Sequence, residues 1–171
     1  MDNLKPGDIL LLSGWYPIVW FLNLFQRDKV RYGHVAIVGY SGAIYEAAEK
    51  IRISSLKSCL RFHKKCKAVR LTSIQPEDVY QIIQKIETKV GQEYGYKRFL
   101  LQFIDNIFHT NWFTEQDKDE NEQVCSSIVA WAYSEVMGID FNNVSWESCE
   151  PDDIDDESEK YPLLWESWII K

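Results

Sequence analysis

Two β-rich runs joined by a short turn constrain this chain more than any other stretch. His34-Val35-Ala36-Ile37-Val38 is apolar after its first residue, Gly39-Tyr40-Ser41-Gly42 supplies turn chemistry, and Ala43-Ile44-Tyr45-Glu46-Ala47 returns. Such a pattern reads as a β-hairpin. Further short strands are expected at Asp8 to Leu12, at Ile51-Arg52-Ile53 and at Ala68 to Leu71. From Pro76 the spacing becomes helical: Val79, Ile82, Ile83, Ile86 and Val90 share one face, Pro76 suits a first turn, and Gly91 suits the stop. Trp15 to Phe25 and Tyr96 to Phe108 read as aromatic-rich helices. Val124, Ile128, Ala132 and Val136 recur every four residues before Gly138, which marks another helix.

A length of 171 residues leaves room for one domain, 1–171. With 46% hydrophobic and 26% charged residues the chain has a sizeable core and is not low-complexity. A net charge of −7 excludes general nucleic-acid binding, which requires a cationic surface against phosphates. Neither a signal peptide nor a membrane span is expected from Ile9 to Phe25, because Ser13-Gly14, Pro17 and Asn23 interrupt the apolar run. The expectation is therefore a cytoplasmic chain, without stable membrane insertion, whose thiols are reduced. Charge is unevenly spread: Glu115 to Glu122 and Glu147 to Glu159 are acidic, and Lys50 to Arg70 is basic. Such runs read as solvated faces, or as acidic loops attracting a cationic, amine-bearing ligand.

Cys125 falls in the first turn of the Val124–Val136 helix. Free backbone N–H groups and the positive end of the macrodipole favour a thiolate there and could hold an oxyanion. The alternative is a small buried hydrophobe, the commonest fate of a free Cys. A nucleophilic Cys needs a base, and the chain offers His34, His63 and His109. His34, opening an apolar strand after Gly33, is the candidate; a hydrogen-bonded sheet-edge His is the alternative. His109 reads as a cation at a helix C-terminus, and His63 as an exposed residue of the basic loop. Glu46 could orient the imidazole, provided that Val38 and Gly42 close the hairpin so that His34 and Glu46 lie opposite. Otherwise Glu46 is a solvent-facing strand residue.

These residues, taken in order, resemble a known family. Leu4-Lys5-Pro6-Gly7-Asp8-Ile9-Leu10, the Gly33-to-Val38 strand, the polar Glu46 twelve positions after His34, Gly91-Gln92-Glu93-Tyr94, Cys125-Ser126-Ser127-Ile128-Val129-Ala130-Trp131-Ala132-Tyr133 and Glu150-Pro151-Asp152-Asp153-Ile154 look like the circularly permuted NlpC-type papain-fold proteins, especially their YiiX-like group. In that family the His strand precedes the Cys helix. The resemblance implies an α+β fold with an antiparallel sheet or partial barrel packed against helices. It implies Cys125 as nucleophile, His34 as general base and then acid, and Glu46 as orienting group. Tyr94 and Ser126 fall on the substrate and oxyanion side; a capped core aromatic is the other reading of Tyr94. The activity implied is that of a cysteine peptidase or amidase, cleaving a peptide-like or amino-acid-containing ligand without a cofactor.

Three other readings are compatible with parts of the sequence. Cys59, His63 and Cys66 form a C-x3-H-x2-C cluster, but no fourth ligand follows and Lys64, Lys65 and Lys67 would repel a dication, so no metal is expected. The aromatic runs could face an acyl chain, as in a lipid-directed acyltransferase or phospholipase of the same permuted fold. A non-catalytic ligand-binding module is the third, since fold does not imply function.

Overall fold

The computed structural model describes residues 3–14, 31–47, 50–92 and 125–171, with Cys125 described by its backbone alone. Among these residues the architecture is α+β, built on an antiparallel sheet. Its strands are β1 (Ile9–Gly14), β2 (His34–Val38), β3 (Ala43–Ala47), β4 (Ile51–Ser55), β5 (His63–Leu71) and β6 (Trp165–Ile169), in the order β4-β3-β2-β1-β5-β6. Four α-helices accompany it: α1 (Leu56–Cys59), α2 (Pro76–Glu87), α3 (Cys125–Met137) and α4 (Pro151–Lys160). The aromatic runs Trp15 to Phe25 and Tyr96 to Phe108, His109 and the acidic stretch Glu115 to Glu122 lie outside the described residues.

Both faces of the sheet are covered, which explains why β1 and β2 read as unbroken apolar runs rather than alternating ones. Side chains alternate between faces with period two. Ile9, Leu11, Val35, Ile37, Val69 and Leu71 turn to one face, where they meet Ile82, Ile83 and Ile86 of α2 and Ile128, Val129 and Tyr133 of α3. Leu10, Leu12, Ala36, Val38, Ile44, Cys66 and Ala68 turn to the other, against Cys59 and Leu60. Each fully buried Leu or Ile contributes about 1.5–3 kcal/mol, so the central strands hold the fold.

Several elements differ from the sequence reading. The helix from Pro76 ends at Glu87, and Val90 is exposed. Its last turn tightens into i→i−3 bonds (Lys89 to Ile86, Val90 to Glu87), after which Gly91, at φ +91°, sends its N–H to the Ile51 carbonyl. Strand β5 starts five residues earlier than expected, hidden in sequence by Lys64, Lys65 and Lys67. The acidic run does not remain a loop: from Pro151 it is α4, with Ile154, Asp155 and Ser158 buried. Pro151 occupies its first turn, the Glu150 N–H donates to Asp153 Oδ2 at 2.8 Å, and two acids face the positive helix end. Strand β6 is an addition at the sheet edge.

The β2–β3 connection depends on one close approach. An added Cβ at Gly39 would lie 2.3 Å from Cε2 of Tyr45. That ring is buried, and its hydroxyl donates to Glu87, so it has little room to give. Gly39→Ala is therefore expected to destabilise the fold by about 1–3 kcal/mol, measured by urea unfolding. An unchanged midpoint would show that the hairpin relaxes freely.

Candidate functional site

His34 and Glu46 are brought together, by a register that differs from the expected one. Glu46 lies opposite Ala36, and Val38 opposite Ile44. The hairpin closes later because the connection takes up Tyr40–Gly42 as a 3-10 turn, with Ser41 and Gly42 at positive φ and the Gly39 N–H on the Ala43 carbonyl. The displacement is two residues, so it keeps the face: His34 and Glu46 are diagonal neighbours on the same side of adjacent strands, within reach of long side chains. Nε2 of His34 lies 3.4 Å from Oε2 of Glu46.

Glu46 is buried, with a side chain 4% exposed, and still ionised. Burial on its own would raise its pKa, but hydrogen bonds led by that from His34, with Arg52 contributing, hold it down to about 2. Arg52 Nε and Nη2 both donate to Oε1, at 3.1 and 3.0 Å, from the position directly opposite on β4. An ionised carboxylate only accepts. The hydrogen of neutral His34 therefore sits on Nε2, and the lone pair on Nδ1, the atom a general base must use.

His63 is not an exposed loop residue. It is 4% exposed and stacks on His34, with ring centroids 5.7 Å apart and planes 7° apart. A β-bulge causes this: Ser13 pairs with Lys65 but Gly14 pairs with His63, so Lys64 is skipped and His63 turns to the face of Cys66.

Cys125 is the first residue of α3. Two sets of contacts tie that helix start to the His34 end of β2. The Ser126 hydroxyl donates to the Cys149 carbonyl at 2.6 Å. Three residues later, both oxygens of Asp152 accept from backbone N–H groups of Arg31 and Tyr32, each at 3.0 Å, just before Gly33-His34. At its other end α3 meets the far end of the sheet: the Tyr133 hydroxyl donates to the Gly7 carbonyl at 2.7 Å, and the Gly7 N–H reaches the Val38 carbonyl at 2.8 Å. Eight helical residues rise about 12 Å, and His34 to Val38 spans about 13 Å of strand. Helix and strand thus run side by side, with Cys125 and His34 at the same end. The buried residues of α3 pack with Val35 and Ile37, whereas His34 opens β2 on the side of Ala36.

The Ser126 hydroxyl is committed to Cys149, which leaves only its backbone N–H for an oxyanion. Tyr94 lies outside the described residues. Cys59, Cys66 and Cys149 are buried; burial first raises the Cys59 thiol, helped by the nearby Glu46 charge, and pushes Cys66 up to about 12. Among the described residues, the acids that bring ligand atoms within 4.8 Å of one another are Asp155, Asp156 and Glu159, not the Cys59-His63-Cys66 cluster. Those acids face cations already. Lys67 Nζ lies 2.6 Å from Asp155, and Arg31 pairs with Asp155 and Asp156. Asp155 of α4 thus clamps Lys67 and Arg31 from a buried position, while Asp156 and Glu159 lie exposed beside it. A cavity of about 380 Å³ lies at the opposite end of the sheet, beside the closed Asp8–Arg70 ion pair and away from His34.

The fold has a solved counterpart. This chain is similar to the crystal structure of the metalloprotein YiiX from Escherichia coli O157:H7, with a TM-score of 0.59 and 15% identity over 96% of this chain and 88% of that one. No protein-family model matches the chain, and no curated protein matches it in sequence. Among the described residues no helix is long and apolar enough to cross a membrane.

Two site residues, Arg52 and His63, were missed by the sequence reading. Arg52 could have been found as the opposite charge facing Glu46 across a short β3–β4 connection; the bulge that turns His63 inward has no such signal.

Because Glu46 is ionised down to about pH 2 when folded and to about 4.3 when unfolded, its stabilisation is complete above about pH 5 and lost as pH falls through 4 towards 2. The wild type should lead Glu46→Gln by about 3 kcal/mol at pH 7, and the gap should narrow to about half of that at pH 3 and close towards pH 2. Urea midpoints across that range measure it; a gap independent of pH would contradict an ionised Glu46.

Proposed function

We propose that this chain is a thiol-dependent hydrolase of the permuted NlpC-type papain fold, cleaving a peptide-like amide through Cys125, His34 and Glu46. One observation carries the reading. The start of α3 and the start of β2 are fastened to the same stretch, Cys149 to Asp152, while Oε2 of Glu46 lies 3.4 Å from Nε2 of His34. The likeness to YiiX supports the α+β, YiiX-like architecture on which this proposal builds. At 15% identity the likeness bears on the fold alone.

In the proposed reaction, Nδ1 takes the proton of Cys125 and the thiolate attacks the amide carbonyl carbon. First-turn N–H groups of α3, including that of Ser126, stabilise the oxyanion. The imidazolium, held by Glu46, then protonates the leaving amine as the C–N bond breaks. Water, deprotonated by the same imidazole, attacks the thioacyl carbon; the C–S bond breaks, the carboxylic acid product leaves, and the imidazolium returns its proton to the Cys125 thiolate. Tyr94 would stand on the substrate side.

The test is turnover of aminoacyl and dipeptidyl arylamides, with micellar lipid esters as the comparison. Wild-type protein should cleave amides. Cys125→Ala should lower kcat by about 10⁴-fold or more, and His34→Gln by roughly 10²–10⁴-fold. Amide turnover that survives Cys125→Ala would overturn the mechanism, and cleavage confined to micellar esters would replace the substrate class.

A further inference from the structure

We propose that His63 is a positioning residue for His34, its buried ring setting the plane of the neighbouring imidazole and shielding one face of it from water. The inference rests on the reading of His34 as the base, but its structural content is separable from that reading.

Three features of the geometry carry it. The rings are parallel within 7° at a centroid separation of 5.7 Å. A ring lying parallel at this separation leaves the in-plane nitrogens for hydrogen bonds, so it complements the Nε2 contact to Glu46 rather than competing with it. A carboxylate at Nε2 and a parallel ring 5.7 Å away together restrict both the direction and the tilt of the imidazole. The Lys64 bulge exists in the fold at the point where it turns His63 inward, to a place where a polar ring is otherwise unfavourable.

The titratable and charged groups around the pair are mixed. Glu46 faces it from β3, Arg52 from β4 through Glu46, Cys59 from α1 beside Glu46, Cys66 from β5, and Lys171 from the end of the chain. Burial first, then the charges of His34 and Lys171, holds His63 down to about 4 against the opposing pull of Glu46. At neutral pH His63 is uncharged. An imidazolium formed on His34 then meets a neutral aromatic ring instead of a second positive charge.

Nitrogen-resolved NMR of the histidine rings tests this with or without a substrate. In wild-type protein His34 should show the Nε2–H tautomer. In His63→Ala, water reaches the uncovered face, so the His34 titration midpoint should move upward and the tautomer signature should become mixed. In His63→Phe, which keeps a flat ring without a titrating nitrogen, the single tautomer should return. In turnover, His63→Ala should lower kcat by roughly 10- to 100-fold with KM within about twofold, and Phe should restore most of it. A folded His63→Ala with unchanged tautomer and midpoint would overturn the proposal, as would a folded His63→Phe that behaves like Ala. Absence of amide turnover in the wild type would instead remove the hydrolase reading, while the ring signals still decide the role of the stack.

Discussion

A carboxylate that stays ionised inside a protein has to be surrounded by donors, and this requirement organises the polar end of the sheet. Glu46 takes two hydrogen bonds from Arg52 on one oxygen and meets Nε2 of His34 with the other. Removing either partner would leave a buried charge under-compensated, a loss of several kcal/mol in comparable sites. The carboxylate therefore fixes more than itself. It determines which nitrogen of His34 holds the hydrogen, and it needs β2, β3 and β4 in one register for its donors to arrive together.

The second organising element is the run from Cys149 to Asp152. It joins three parts of the chain that are far apart in sequence: the first turn of α3 through Ser126, the entry to β2 through the N–H groups of Arg31 and Tyr32, and the start of α4. Pro151 presets the first helical turn, and Asp152 in that turn spends both oxygens on the segment that leads into His34. Acids further along α4 then clamp Lys67 and Arg31. A stretch that looks like a solvated acidic tail is thus a brace between helix and sheet.

How much of this was legible beforehand depended on the range of the interaction. The hairpin, the periodic face of α2 and the helix opening at Cys125 follow from local pattern and were readable. So was the shared face of His34 and Glu46, because a register error of two residues preserves the alternation. The exact pairing was not readable, since it depends on how Ser41 and Gly42 spend their positive φ values. The burial of His63 depends on a bulge that answers to β1, fifty residues away, and its flanking lysines suggest a solvated loop. The helical state of Pro151–Lys160 escaped because its acids find their cations on β5 and before β2, which charge counting along the chain does not reveal.

The central claim is that Cys125 is a thiol activated by a nearby imidazole. Its most direct test is the rate of alkylation by iodoacetamide at each cysteine, resolved by peptide mass spectrometry as a function of pH. The background is favourable, because Cys59, Cys66 and Cys149 are buried. The account predicts selective labelling of Cys125 with an inflection well below the ordinary thiol value of about 8.5, moving back towards it in His34→Gln. Slow and similar labelling of all four cysteines, or a Cys125 inflection near 8.5 that ignores the His34 substitution, would contradict it.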